Sequence, residues 1–230
     1  MALPKIKHPT YAITIPSTKQ EINIKPFTVK EEKLLLMAKS SEKTEDVISS
    51  IKQIVKNCII EPVDVDKLAT FDIEYIFIKL RAKSIGEVVE LEYSEPDFEK
   101  VNFRVNLDDI NVVFNPEHTN KMKLTDEVYI KLKYPTLEDM KLLDNGITEE
   151  NIFEILYKCV DTIYDDESVY TDYSKEELFE FFDSLPLESI SVLSHFFETM
   201  PAVEHKITLK NSEGKTKEVL LKGINNFFTF

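Results

Sequence analysis

The chain repeats a pattern of residues in its two halves. Residues 132–143 (LKYPTLEDMKLL) resemble residues 24–35 (IKPFTVKEEKLL), and residues 152–159 resemble residues 51–58, each copy ending in a cysteine. Both copies continue through a helical pattern into a predicted hairpin. Similarity that recurs in one order along a chain is typical of repeated supersecondary units. We therefore predict an internal duplication, with a first strand–helices–hairpin module at 1–112, a linker at 113–126 and a second module at 127–230.

Apolar spacing predicts the elements of each module. Alternating apolar residues indicate hairpins at 11–25, 89–105 and 207–221, and a further strand at 128–132. Helical spacing follows candidate caps or first turns, and two of these are capping boxes; the candidates are Thr28, Thr44, Thr70, Thr136, Thr148, Ser174 and Pro186. The acidic segment 161–173 is predicted to be a loop. The fold class that follows is α+β, with helical clusters packed on short antiparallel hairpins in two similar halves.

Composition limits the classes of partner. The chain has 230 residues, 43% of them hydrophobic, which is enough for a real core. Its formal net charge of −14 opposes binding to nucleic acid or to anionic lipid, since both carry phosphate charge. Two cysteines predict no disulfide framework. Without a signal-peptide pattern or an apolar run of ~20 residues, we expect an intracellular, soluble protein that binds neither nucleic acid nor membrane.

Residues that could carry chemistry are present but lack the arrangement that catalysis or metal binding needs. His195 and Glu198 lie three residues apart without a third ligand at an expected spacing. The acidic run around Asp165 and Asp166 lacks the alternation and the central glycine of a calcium loop. Cys58 and Cys159 fall on apolar helix faces, which is typical of small buried hydrophobic residues. We predict no catalytic residue, cofactor or metal; acidic density alone keeps a carboxylate-dependent hydrolase as a weaker alternative.

Several segments resemble one family of phage proteins. They are residues 1–5 (MALPK), 25–33 (KPFTVKEEK), 79–87 (KLRAKSIGE) and 221–228 (LKGINNFF). In this order they are similar to the baseplate proteins of T-even-type contractile-tailed bacteriophages, which include hub and hub-assembly proteins. Lys25 stands where the family often has arginine.

The resemblance implies a late, non-enzymatic protein of tail morphogenesis, either a baseplate hub component or a hub-assembly factor. Its partners would be phage baseplate hub or tail proteins. It would act in the host cytoplasm during assembly and could remain in the virion tail baseplate. The alternatives are a transient tail assembly chaperone absent from the virion and a general adaptor outside phage biology.

The candidate partner-binding residues lie in three of these segments. They are Lys25, Pro26, Phe27, Arg81, Lys83, Phe227 and Phe228. Two alternatives stay open: Pro26 and Phe27 could simply set the turn from strand to helix, and the C-terminal phenylalanines could pack on their own hairpin.

Overall fold

The computed structural model describes residues 4, 6–41, 44–96, 98–143 and 149–224. In this part of the chain, helices and small antiparallel sheets alternate, which confirms the α+β class. The chain divides into two compact units, the first formed by residues 1–113 with 202–230 and the second by residues 114–201.

The elements follow one another in two stretches of chain. The first stretch is β1 (Tyr11–Thr14), β2 (Glu21–Ile24), α1 (Val29–Ser41), α2 (Thr44–Cys58), α3 (Thr70–Ser84), β3 (Val88–Glu95), β4 (Phe98–Asn106) and β5 (Asn111–Val113). The second is β6 (Lys121–Lys123), β7 (Tyr129–Leu132), α4 (Leu137–Met140), α5 (Glu149–Cys159), β8 (Val160–Tyr164), β9 (Val169–Tyr170), α6 (Lys175–Asp183), α7 (Leu187–Thr199), β10 (Ala202–Lys210) and β11 (Thr216–Lys222). Short 3-10 helices lie at Val65–Lys67, Leu107–Asp109 and Lys141–Leu143.

In the first unit, two β layers and a helix share one core. The β3–β4 hairpin forms one sheet, and the order β11-β10-β5 forms another. Their buried apolar side chains meet those of α3 in a single cluster, since a sheet must bury its apolar face against another element; its members are Ile78, Ala82, Val89, Leu91, Val105, Leu107, Ile110, Val203 and Leu221.

The C-terminal hairpin completes the first unit. β10 pairs with β5 in the register Ala202↔Val113. β5 comes before the second unit in the sequence and β10 comes after it, so the chain leaves the first unit and returns to the same sheet. The compact units therefore have different bounds from the predicted modules, since module 127–230 contains parts of both units. The duplication itself stays a prediction.

The second unit packs helices on one four-stranded sheet. The strand order is β6-β7-β8-β9, antiparallel throughout. Residues from the sheet, α5, α6 and α7 form its buried core, which contains Met122, Leu124, Ile130, Leu132, Leu156, Val160, Ile163, Leu178, Phe182, Leu193 and Phe196.

Three local predictions were wrong. The acidic segment 161–173 is not a loop, because β8 and β9 form a hairpin whose Ile163 is buried against the core. Thr70 does not precede α3; Ala69 is the N-cap residue, and its N–H donates to the Asp72 carboxylate over 3.2 Å. The helix predicted to follow Thr136 is a four-residue helix, α4, followed by one 3-10 turn at Lys141–Leu143. In the described ranges, no helix is long and apolar enough to cross a membrane.

Candidate functional site

The junction between β2 and α1 is tied to two other helices through its backbone. The N–H of Lys25 donates to the carbonyl of Cys58 at the end of α2, over 2.9 Å. The N–H of Phe27 donates to the Ser84 hydroxyl oxygen at the end of α3, over 2.7 Å. Pro26, between them, has no N–H to satisfy, which suits the place where strand pairing ends. The junction is therefore held at both of its flanking residues.

Phe27 also packs against the body of α3. Its ring centroid lies 5.6 Å from that of Phe77, which is fully buried. The Ser84 hydroxyl donates its own proton to the Leu80 carbonyl over 2.5 Å, which leaves its oxygen free to accept from Phe27. A hydroxyl can donate once and accept twice, so Ser84 links the junction to the last turn of α3.

Lys83 lies in that last turn and has several partners. Its ammonium group contacts Glu87 at 2.8 Å and Asp108 at 2.7 Å, and it lies 5.7 Å from the ring centroid of Tyr11. The hydrogen bonds that its ammonium group donates to Asp108, and secondly to Glu87, raise the pKa of Lys83. Lys83 therefore holds the 3-10 turn after β4 against α3.

Arg81 is the other predicted site residue of α3. Its Nη1 lies 3.4 Å from the Gly86 carbonyl. Partial burial lowers the pKa of the guanidinium, and the charge of Glu32 on α1 opposes that effect. The structure thus brings Phe27 to the end of α3 that carries Arg81 and Lys83. The sequence analysis predicted these three residues as partner-binding residues in two separate segments.

The start of α1 is fixed by the predicted capping pair. The Glu31 carboxylate accepts hydrogen bonds from the Thr28 N–H (3.0 Å) and hydroxyl, and from the Asn57 amide (3.2 Å). Burial alone would raise the pKa of Glu31, but these hydrogen bonds outweigh it and lower the pKa below its ordinary value. Glu31 is therefore a buried anion that joins α1 to α2.

The second unit repeats this pattern of bonds. The Lys133 N–H donates to the Cys159 carbonyl over 2.7 Å, as Lys25 does to Cys58. The Thr136 N–H donates to the Asp139 carboxylate over 2.8 Å, in the place of the Thr28 and Glu31 pair. The sequence similarity between the halves thus coincides with the same backbone contacts at both junctions.

Both cysteines are buried at these junctions, which confirms their predicted placement. Cys58 has no exposed surface and Cys159 is 1% exposed. Burial raises the pKa of each thiol to about 12. The thiolate is the reactive form, so both side chains serve packing.

Asp165, the centre of the hydrolase alternative, has a structural role. Its Oδ1 accepts from the N–H groups of Glu167 (2.8 Å) and Ser168 (2.7 Å) in the turn between β8 and β9. Its Oδ2 accepts from the Tyr170 hydroxyl over 3.0 Å. These bonds lower the pKa of Asp165. In the described ranges, no group of three or more histidine, cysteine or carboxylate side chains could hold a metal ion.

Two carboxylates of α3 were missed by sequence reasoning. Asp72 is fully buried and accepts from the N–H (2.9 Å) and hydroxyl (2.5 Å) of Ser17 and from Ala69. Glu74 accepts from the Ile224 N–H over 3.2 Å, and burial raises its pKa to about 7. For Asp72, an acid in the first turn of a helix was the available signal. Ile224 leads to Phe227 and Phe228, which lie outside the described residues.

Two grooves of the second unit were also missed, because each is formed by elements distant in sequence. The first, here the acidic groove, has a volume of about 400 Å³ and is lined by Val128, Ile163, Asp165, Tyr170, Asp172, Tyr173, Glu177, Leu178 and Phe181. The second is largely apolar, has a volume of about 330 Å³ and is lined by Pro135, Met140, Ile152, Ile155, Ser194, Phe197, Glu198 and Met200.

Comparison with known proteins identifies the family. Residues 8–229 match the family described as T4 bacteriophage base plate protein. No curated protein and no solved structure matches the chain significantly. The match covers nearly the whole chain and supports a structural or assembly role related to the phage baseplate. This chain therefore belongs to the T4 bacteriophage base plate protein family.

Proposed function

We propose that the chain is a non-enzymatic component or assembly factor of the baseplate hub, and that it binds hub or tail subunits. The family match supports a baseplate role, and the segments that resemble hub and hub-assembly proteins favour the hub. The proposal extends to Lys25, Pro26, Phe27, Arg81 and Lys83 as partner-binding residues.

The junction held against the end of α3 is the observation that carries this proposal. Two large apolar residues that flank the Phe27–Ser84 hydrogen bond in sequence have exposed side chains: Val29, two residues after Phe27, by 73%, and Ile85, directly after Ser84, by 59%. Apolar side chains that are exposed on a fixed backbone lose little conformational entropy on binding. With Arg81 in the same turn, this surface suits a protein partner, since arginine and apolar residues are enriched in interface cores.

Quantitative mass spectrometry of purified phage particles, compared with the infected-cell lysate, tests the proposal. A stoichiometric signal in particles supports a baseplate subunit. Abundance in the lysate with absence from particles supports an assembly chaperone, provided that the chain co-purifies with hub or tail proteins on co-expression. Absence from particles together with no bound hub or tail protein would overturn both forms of the proposal.

A second test concerns the surface. Val29→Ser and Ile85→Ser change exposed side chains and should weaken co-purification of the partner while leaving the fold intact. Leu187→Ser is the control, because Leu187 is 80% exposed in the other unit. Equal co-purification by all three variants would remove the junction surface from the proposal.

A further inference from the structure

The floor of the acidic groove is an open continuation of the core of the second unit. Tyr170 of β9 is the cross-strand partner of Ile163 on β8, and side chains at paired positions lie on the same face of a sheet. Ile163 and Leu178 are buried core residues, and Phe181 packs against them. Tyr170 is 48% exposed. The apolar face of the sheet thus extends past α6 into a groove that solvent can reach.

The rim of this groove is negatively charged. Asp165, Asp172 and Glu177 line it, and none of its described lining residues is a lysine or arginine. Hydrogen bonds lower the pKa of Asp165, so that this carboxylate is ionised at neutral pH. Glu177 accepts from the Ser174 N–H over 2.7 Å. Three carboxylates beside an apolar floor require a cation if water is to be displaced from the groove.

Asp172 is the carboxylate that the fold leaves unused. Asp165 is occupied by the turn and Glu177 by the start of α6. In the described part of the chain, Asp172 has neither a hydrogen bond nor an ion pair. Its charge is therefore available to a group that enters from outside.

The aromatic walls select the kind of cation. The Tyr170 hydroxyl donates to Asp165, which holds the ring beside the carboxylates, and Tyr173 lies on the same groove. A guanidinium group is planar, stacks on aromatic rings and offers paired donors to carboxylates. An ammonium group would supply the charge without the stacking or the paired donors. The combination therefore fits arginine better than lysine.

We propose that the acidic groove binds an arginine side chain presented by a partner protein. The inference rests on the proposed function, because the partner is taken to be a baseplate protein. Charge complementarity supports a basic partner over the whole molecule as well as in the groove, since the chain carries a net charge of −14 and a charged surface steers an oppositely charged partner.

Titration of the full-length, ¹⁵N-labelled protein with two peptides tests the chemistry directly. The probe is acetyl-Gly-Arg-Gly-amide, and its control replaces arginine with citrulline, which has the same shape without the charge. We expect saturable chemical-shift changes confined to the groove with the arginine peptide, and affinity at least about tenfold weaker with citrulline. Equal binding of both peptides, or shift changes spread over the surface, would overturn the proposal.

A pair of charge variants tests the residues. Asp172→Asn should weaken binding of the arginine peptide about two- to fivefold, which is the range of an exposed ion pair. Asp166→Asn removes the same charge from the same hairpin at an exposed residue that does not line the groove, and it should leave the affinity unchanged. Equal weakening by both variants would show a net-charge effect and would overturn the proposal.

Co-purification separates this inference from the proposed function. Tyr170→Leu keeps an apolar residue on β9 and removes the aromatic ring, so with Asp172→Asn it should reduce recovery of the baseplate partner. Full recovery of the partner by the double variant would refute the proposal that the acidic groove binds the partner, and the proposed function would stand. Failure of the unaltered chain to bind any baseplate protein would overturn the proposed function, and the assignment of the partner would fall with it even if the arginine peptide bound.

Discussion

Replacement of Asp72 should destabilise the first unit more than any loss of a surface carboxylate. The Asp72 side chain has no exposed surface and accepts three hydrogen bonds, two from Ser17 and one from Ala69. Asp72→Ala leaves two backbone N–H groups without this acceptor, and each unsatisfied donor costs about 1–3 kcal/mol when it stays buried. Because Ser17 is only partly buried and water can replace part of the loss, we expect a decrease of about 2–4 kcal/mol in the free energy of unfolding.

Urea titration followed by far-ultraviolet circular dichroism measures that decrease, and hydrogen exchange with mass spectrometry locates it. Peptides from β1, β2 and α3 should exchange faster, whereas peptides from 114–201, in the other compact unit, should not. Asp64→Ala removes a carboxylate whose side chain is 57% exposed and is the matched control. Asp72→Asn should recover only part of the stability, since its amide NH2 group would face either the Ser17 N–H or the Ala69 N–H, and each of these is itself a donor. A decrease below about 0.5 kcal/mol for Asp72→Ala would refute the reasoning, because that is the usual effect of a surface substitution.

Three further predictions concern other buried groups. Phe77→Ala removes a fully buried ring and should lower the free energy of unfolding by about 3–5 kcal/mol in a urea titration; a loss below about 1 kcal/mol would contradict tight packing. Cys58 and Cys159, with pKa values of about 12, should not react with a thiol-reactive disulfide reagent in the native protein, and both should react in guanidinium chloride. Rapid labelling of the native protein would contradict their burial. Burial raises the pKa of Glu74 from 4.5 to about 7, so its contribution to stability is full below pH 4.5 and is lost as the pH rises through 7. Glu74→Gln should therefore reduce the decrease in unfolding temperature that the unaltered protein shows between about pH 5 and 8. The same pH dependence in both proteins would refute the raised pKa of Glu74.

Local patterns predicted the β1–β2 and β10–β11 hairpins and the start of α6. The alternation of apolar residues gave β1–β2 and β10–β11 within a few residues, because each strand buries one face. The box at Ser174 and Glu177 also formed as predicted, with the Glu177 N–H donating to the Ser174 hydroxyl oxygen over 3.1 Å. Such signals are readable because all their partners lie within a few residues of one another.

The strands that were missed are short or carry charge on one face. β5 and β6 have three residues each, too few to show a period. β8 was concealed because Asp161 occurs in it, although that carboxylate pairs with Lys131 on β7 at 2.6 Å. A strand that contains a carboxylate is easily predicted to be a loop when the cationic partner on the neighbouring strand is not known. The pairing therefore decides what the single sequence leaves ambiguous.

The candidate site was only partly within reach of the sequence. The resemblance to a family nominated both Phe27 and the end of α3, but nothing in the sequence joins Phe27 to Ser84 across 57 positions. The acidic groove needs β8, β9 and α6 to converge, and two of these elements were predicted to be a loop. Tertiary contacts thus supplied what local spacing could not.

The pairing of Val113 with Ala202 has a consequence for synthesis on the ribosome. The sheet of β11-β10-β5 lacks two of its three strands until the ribosome has translated past residue 202. Residues 114–201 are translated entirely before that point and form a compact unit with a core of their own. Because domains fold as units while the chain emerges, we infer that the inserted second unit matures first. The first unit, although it begins the chain, then closes last, because its sheet keeps an open edge at β5 until β10 emerges and pairs with it.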